Sequence, residues 1–249
     1  MTASNSAASR SSGTLETANE ALRDADPGAI IRWASHTFPG RLAVSSSFGA
    51  HSALMLHLVS VHAPDTPVIF VDTGHLFPET YRFARDLAER FDLDLRIYQP
   101  RLTAAHQEAL YGRLWEQGEE GVAQYLRTNK VEPMVRALRD IDPLAWLSGV
   151  RADQTEHRRS LDVVTQKDGR TKVHPLLRWT LGQVEDAMRE EGLPFHPLYE
   201  EGYRSVGDVH STLPTLLGQD PREGRLLGKK RECGIHLALD AQSLTSSKL

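Results

Sequence analysis

Leu42-Ala43-Val44-Ser45-Ser46-Ser47-Phe48-Gly49, with the run Ala50 to Val61 behind it, decides the fold. Arg41 to Val44 reads as a short strand, and Ser45 to Gly49 as a tight polar loop. Ala50 to Val61 is apolar on nearly every face, broken only by His51, Ser52, His57 and Ser60, as expected of a buried helix. Strand, loop and buried helix together open an α/β unit. The pattern returns at Val68-Ile69-Phe70-Val71, a β-branched and aromatic run without alternation that stops at Asp72-Thr73-Gly74. Such a run suits a parallel strand covered on both sides.

Pro78 suits the first turn of a helix reaching about Phe91, and Leu93, Leu95 and Ile97 alternate with Asp94, Arg96 and Tyr98 as a half-exposed strand would. Glu108 to Arg139 reads as mainly helical, Leu144 to Val150 as another buried strand, and Leu181 to Glu191 as a helix ending before Gly192. Upstream, Leu15 to Phe38 reads as two short helices separated by Asp26-Pro27-Gly28. The predicted fold class is α/β, a parallel twisted sheet with helices on both faces. Residues 1–14 are expected to be a disordered tail, and 15–193 the α/β domain with its helical preface. Gly, Pro and Ser punctuate residues 194–249, which are expected to form a loop-rich segment and mobile tail of the same domain.

The formal net charge of −4 over 249 residues argues against a whole-surface nucleic-acid binder and leaves room for a local basic pocket. No run approaches the ~20 apolar residues that span a bilayer, and no basic patch precedes an apolar stretch near the N-terminus. A cytoplasmic protein without membrane or nucleic-acid partners is expected. The single cysteine, Cys233, excludes an intramolecular disulfide and a [4Fe–4S] cluster held by one chain. No His-Glu-x-x-His or Cys-x-x-Cys spacing occurs, and His51, His57 and His62 do not share a helix face, so no metal is expected.

Ligands of open parallel sheets bind at the carboxyl ends of the strands, beside helix N-termini whose free N–H groups favour anions. Three polar segments fall there: Ser45 to Gly49, Asp72-Thr73-Gly74, and Gly149 to Arg159, which carries Arg151, Gln154, Arg158 and Arg159. Each has an ordinary structural reading by itself, as a cap, a turn or a solvated charge run. At one edge of one sheet they point to a nucleotide or another phosphate-bearing ligand. Cys233 follows Lys229, Lys230 and Arg231, whose charge favours the thiolate. It reads as a nucleophile on the C-terminal tail.

The chain resembles the 3′-phosphoadenylyl sulfate (PAPS) reductases, relatives of the adenylyl sulfate (APS) reductases and of the ATP pyrophosphatases. The resemblance runs from about Arg41 to Leu237. It rests on Ser45 to Gly49, Val71 to Tyr81, Tyr111 to Gly118, Asn129 to Met134, and Gly149, Arg151, Gln154 and Arg158. It continues through Glu201-Gly202-Tyr203, Ser205-Val206-Gly207-Asp208 and Lys230 to His236. It implies a sheet of the adenine-nucleotide hydrolase type, with Ser45, Ser46, Ser47, Asp72, Thr73 and Gly74 lining the substrate pocket. It further implies that Lys130, Arg151, Gln154, Arg158 and Arg231 bind substrate and that Cys233 is the nucleophile. His236 has two readings, as an aid to the thiolate or as the cap of a turn. Cluster-bearing relatives, typically the APS-reducing ones, carry a tandem cysteine pair and a later Cys-x-x-Cys. This chain has Tyr125-Leu126 at the first place and Asp208 and Ser211 at the second. It therefore resembles the cluster-free, PAPS-using branch.

The expected reaction, within sulfate assimilation and cysteine biosynthesis, releases sulfite and adenosine 3′,5′-bisphosphate. Two electrons are needed and this chain has one thiol, so a second thiol must come from outside: thioredoxin or glutaredoxin by resemblance, or a second Cys233 in a homodimer. The alternatives are an APS reductase without a cluster, an adenylating enzyme of the ATP pyrophosphatase type, which predicts a glycine-richer loop at Ser46-Ser47, and a nucleotide-binding redox sensor.

Overall fold

The structure, a computed structural model, describes residues 15–167 and 169–215; the tail expected over 1–14 lies outside them. Helix α1 covers residues 15–21, and α2 spans Pro27–Thr37. Asp26 caps α2, its carboxylate accepting the Ala29 N–H at 2.8 Å, and Pro27 sits in the first turn, where its missing N–H costs nothing. Asp26-Pro27-Gly28 is therefore the start of a helix rather than a spacer.

Six strands form one sheet: β1 (Leu42–Ser46), β2 (Val68–Val71), β3 (Leu95–Tyr98), β4 (Ala145–Ser148), β5 (Val164–Lys167) and β6 (Arg170–Val173). Their order is β3-β2-β1-β4-β6-β5, and all neighbours are parallel except β5 and β6. The sheet is thus mostly parallel, as expected, with one antiparallel pair at its edge. Too few residues separate β5 from β6 for a crossover, so only a hairpin can join them.

The strand period of two sorts the core into two faces. Leu42, Val44, Val68, Phe70, Ala145 and Leu147 turn to one face. There they meet α2, α3 (Ser52–His62), α4 (Pro78–Arg90) and α9 (Leu181–Glu190). Ala43, Ile69 and Trp146 turn to the other, where α7 (Glu132–Ile141) supplies Met134, Ala137 and Leu138. Pro133 opens α7, its apolar residues recur at helical spacing, and Asp142 ends it in the left-handed region at φ 48°. Each fully buried side chain of this kind contributes about 1.5–3 kcal/mol of apolar transfer.

The crossover from β3 to β4 carries α5 (Ala104–Tyr111), α6 (Gly118–Leu126), a π-helical turn (Arg127–Val131) and α7. In the wide turn, the Asn129 and Gln107 side-chain amides donate to each other at 3.1 and 2.8 Å, and Asn129 also donates to the Tyr125 carbonyl. Residues 194–215 add no second core. Two 3₁₀ turns, Pro197–Tyr199 and Val209–Ser211, and an isolated bridge from Asp208 to Leu76 hold them to the domain. From β1 the chain moves out to β2 and β3 and later returns to the opposite side at β4, so the order reverses between β1 and β4. A ligand crevice belongs at the carboxyl ends of those two strands.

Candidate active site

A cavity of about 250 Å³ opens at that reversal, lined from both strands and from the N-terminus of α3. Ser45 and Ser46 lie in the last two positions of β1 and not in a loop, because β1 runs past Val44 and pairs Ser45 with Ser148 of β4. The Ser45 hydroxyl accepts the Trp146 indole N–H at 2.8 Å, and Ser46 accepts the Phe48 N–H at 3.1 Å. Phe48 takes a positive φ of 47°, unusual for a bulky residue, and is held there by complete burial against Phe70, 4.9 Å between ring centroids. This sharp turn directs the first turn of α3 at the cavity. No side chain caps α3; Ser52, its first residue, lines the cavity, where the positive end of the helix dipole favours an anion, and the Ser52 N–H donates to the Gly49 carbonyl at 3.1 Å.

Of the residues expected at the site, Ser45, Ser46, Ser47, Thr73, Lys130, Arg151, Gln154 and Arg158 line the cavity. Asp72 and Gly74 are not among its lining residues. The Asp72 carboxylate instead accepts the Gly74 N–H at 2.8 Å, the Tyr81 hydroxyl at 2.7 Å and the Gln99 amide at 2.6 Å. It fixes the turn, in which Gly74 takes φ 76°, a left-handed conformation suited to glycine. Burial, reinforced by the Asp72 carboxylate, pushes the Tyr81 hydroxyl pKa up. Arg231, Cys233 and His236 lie outside the described residues.

Lys130, Arg151 and Arg158 are 6, 7 and 6 % exposed, a concentration of buried cations in a chain of net negative charge. Lys130 projects from the π-helical turn and meets the Asp208 carboxylate at 2.6 Å; the other oxygen of Asp208 accepts the Thr73 hydroxyl at 2.7 Å. Arg151 pairs with Asp153 at 3.0 Å, and the Gln154 side-chain oxygen accepts both the Arg151 N–H and an Arg158 guanidinium N–H. Thr155 caps α8 (Glu156–Arg159), the short helix that carries Arg158.

Three further residues matter to which the sequence assigns no role at the site. Asp208 is wholly buried and holds both Lys130 and Thr73. His51 lines the cavity and donates from Nε2 to Glu185 of α9 at 3.1 Å; burial, aided by Arg151, pushes its pKa down to about 4, so the ring is neutral near pH 7. Arg204 lines the same cavity with its guanidinium carbon 4.3 Å from the centre of the Tyr199 ring. The His51–Glu185 contact joins residues 134 apart, so no local spacing announces it.

Tyr125 and Asp208, one from each place where cluster-bearing relatives carry cysteines, meet in the fold. The Tyr125 hydroxyl pKa is raised first by burial and then by the neighbouring Asp208. Around it pack Trp115, His75 and His210, with Trp115 and His210 stacked at 4.0 Å and 6°. Tyr125, Leu126, Asp208 and Ser211 offer no thiolate for iron.

Fold and cavity together define an α/β protein with a cationic cleft at the reversal point of a doubly wound sheet. A family model described as the phosphoadenosine phosphosulfate reductase domain matches residues 41–214. A phosphoadenosine 5′-phosphosulfate reductase of Thiocapsa roseopersicina is 48% identical over 222 residues, covering 89% of this chain and 93% of that protein. The crystal structure of a Candida auris PAPS reductase, a phosphate complex, superposes with a TM-score of 0.71 at 32% identity, over 80% of this chain and 96% of that one. A Candida glabrata FMN adenylyltransferase shares the fold alone, with a TM-score of 0.58 at 17% identity over 83% of this chain and 67% of that one. The chain belongs to the phosphoadenosine phosphosulfate reductase family.

Proposed function

We propose that the protein is an oxidoreductase that converts 3′-phosphoadenylyl sulfate to sulfite and adenosine 3′,5′-bisphosphate in assimilatory sulfate reduction. The observation that carries this reading is the convergence, in one cavity of a chain of this family, of the β1 serines, the N-terminus of α3, and buried Lys130, Arg151 and Arg158. These groups suit a nucleotide bearing several negative charges, because guanidinium forks bind phosphate and sulfate oxygens with paired hydrogen bonds. In this reading Asp72 and Gly74 shape the loop that presents Thr73, and Arg231 and His236 flank the nucleophile.

The Cys233 thiolate donates its electron pair to the sulfate sulfur, the bond from that sulfur to the bridging phosphate oxygen breaks, and adenosine 3′,5′-bisphosphate leaves. Cations of the cavity offset the charge that develops on the leaving phosphate. A second thiolate then attacks Sγ of Cys233; sulfite departs with the bonding pair and a disulfide forms, so two thiols supply both electrons. Thioredoxin or glutaredoxin provides that thiol, and the protein acts as a cytoplasmic homodimer with neither metal nor iron–sulfur cluster. Residues 194–249 belong to the same domain, and the C-terminal tail delivers Cys233 to the cavity.

Intact mass spectrometry of the reduced protein after incubation with PAPS, and separately with APS, tests the reading. A single SO₃ adduct on Cys233 with PAPS alone is expected, and Cys233→Ser should abolish sulfite formation while retaining nucleotide affinity. An adduct with APS would overturn the substrate assignment. A Cys233–Cys233 disulfide with free sulfite would shift the mechanism to the intersubunit route. Absence of both adduct and sulfite would remove the reductase reading.

A further inference from the structure

The cations lining the cavity differ in how they are held. Lys130 and Arg151 each carry a carboxylate partner, and Arg158 is bonded to Gln154. Arg204 has no carboxylate or side-chain amide partner among the described residues; its guanidinium rests on an aromatic ring. That ring, Tyr199, is itself fixed. It stacks on Phe195 at 4.7 Å and 28°, Phe195 lies beside the Arg189 guanidinium at 5.7 Å, and the Tyr199 hydroxyl donates to Glu185 at 2.5 Å. Glu185 also accepts from His51 and Arg189. A cation–π seat of this kind orients a guanidinium without consuming its N–H donors, so all of them stay available to a ligand.

We infer that Arg204, seated on Tyr199, is a specificity-determining residue that binds a second phosphate of the nucleotide, the one on the ribose 3′ position. The inference rests on the nucleotide reading above and deepens it. A PAPS molecule presents two separate anionic groups, and the cavity presents two sets of cations. Lys130 and Arg158 are almost fully buried and locked by Asp208 and Gln154, which suits the group whose geometry must be fixed for reaction. Arg204 is only half-buried and has its donors open, which suits a phosphate borne at the side of the ribose. His51, 5.3 Å from the Tyr199 ring, donates to Glu185 and so helps to fix the seat.

The test is isothermal titration of the full-length protein with adenosine 3′,5′-bisphosphate and with adenosine 5′-monophosphate. Wild type is expected to prefer the bisphosphate. Arg204→Gln should weaken bisphosphate binding by about 10- to 100-fold, the worth of a charge-assisted hydrogen-bonded pair, and leave monophosphate binding within about twofold. Tyr199→Leu, which removes the seat but keeps Arg204, should lose part of the preference, whereas Tyr199→Phe, which keeps the ring, should retain it. An equal loss for both ligands in Arg204→Gln, or no loss, would overturn the assignment of Arg204 and leave the nucleotide reading standing. Failure of wild type to bind either ligand would overturn both.

Discussion

The two walls of the cavity hold their charges by opposite means. On the β2 side, Lys130 meets Asp208 in an ion pair whose side chains are 7 and 0 % exposed, and Thr73 occupies the remaining carboxylate oxygen. On the α9 side, Arg204 lies on an aromatic stack, and the half-buried carboxylate of Glu185 is given over to His51, Tyr199 and Arg189. Hydrogen bonds from Tyr199 and His51 outweigh the burial that would raise the Glu185 pKa, and hold it below the usual carboxylate value. A paired buried cation is expensive to desolvate but cannot move, whereas a ring-backed cation stays free to exchange water for a ligand. One wall is built to position, and the other to recognise.

The strongest way to break that contrast is Asp208→Ala. It leaves Lys130 buried without its carboxylate, and a loss of about 4 kcal/mol of folding stability is expected in urea titration. A loss below about 1 kcal/mol would show that water already compensates Lys130 and that this wall is not rigid. Acid comes next. Burial pushes the pKa of His51, His196 and His210 down to about 4 and that of His174 to about 3. All four start from 6.5 when unfolded, so the unfolded chain binds protons first as the pH falls. Stability is complete well above pH 6.5 and declines toward pH 4, by at least about 2 kcal/mol at pH 5, the worth of one such ring. Denaturant midpoints that stay flat from pH 7 to pH 5 would contradict the neutral histidines. The smallest effect is expected of Tyr199→Phe, about 1.5 kcal/mol from the lost hydrogen bond to Glu185. A stability change with intact nucleotide preference would separate the hydroxyl, which fastens the wall, from the ring, which seats Arg204.

The sheet was legible where strands are apolar on both faces. Val68–Val71 is read to the residue because nothing in it could face water. Ser45 and Ser46 hide the end of β1, since hydroxyls suggest a loop until Trp146 from the next strand supplies a donor to Ser45. The β5–β6 hairpin escapes altogether. Thr165, Gln166, Lys167, Arg170, Thr171 and Lys172 are polar, and the ammonium of buried Lys172 lies 4.5 Å from the centre of the Trp146 ring, a contact no local pattern announces. Within the site, the residues carried by contiguous motifs could be named in advance. Asp208 appears in sequence as the end of a matched stretch and a missing cysteine, His51 as a polar break in an apolar run, and Arg204 as a gap between matched stretches, none of which announces a role. Their roles arise from contacts with Lys130, Glu185 and Tyr199, which lie on other elements of the fold.

The π-helical turn Arg127–Val131 acts as a phase adjuster between two helices that share one rod. Each residue of an α-helix advances the side chains by about 100°, so the wide turn sets α6 and α7 out of angular step with each other. Trimming a single residue from it would bring the rod back into step and swing everything beyond through that angle. Met134, Ala137 and Leu138 would leave the sheet and Lys130 would leave Asp208, so one deletion would disengage the core on that face and the positioning wall together.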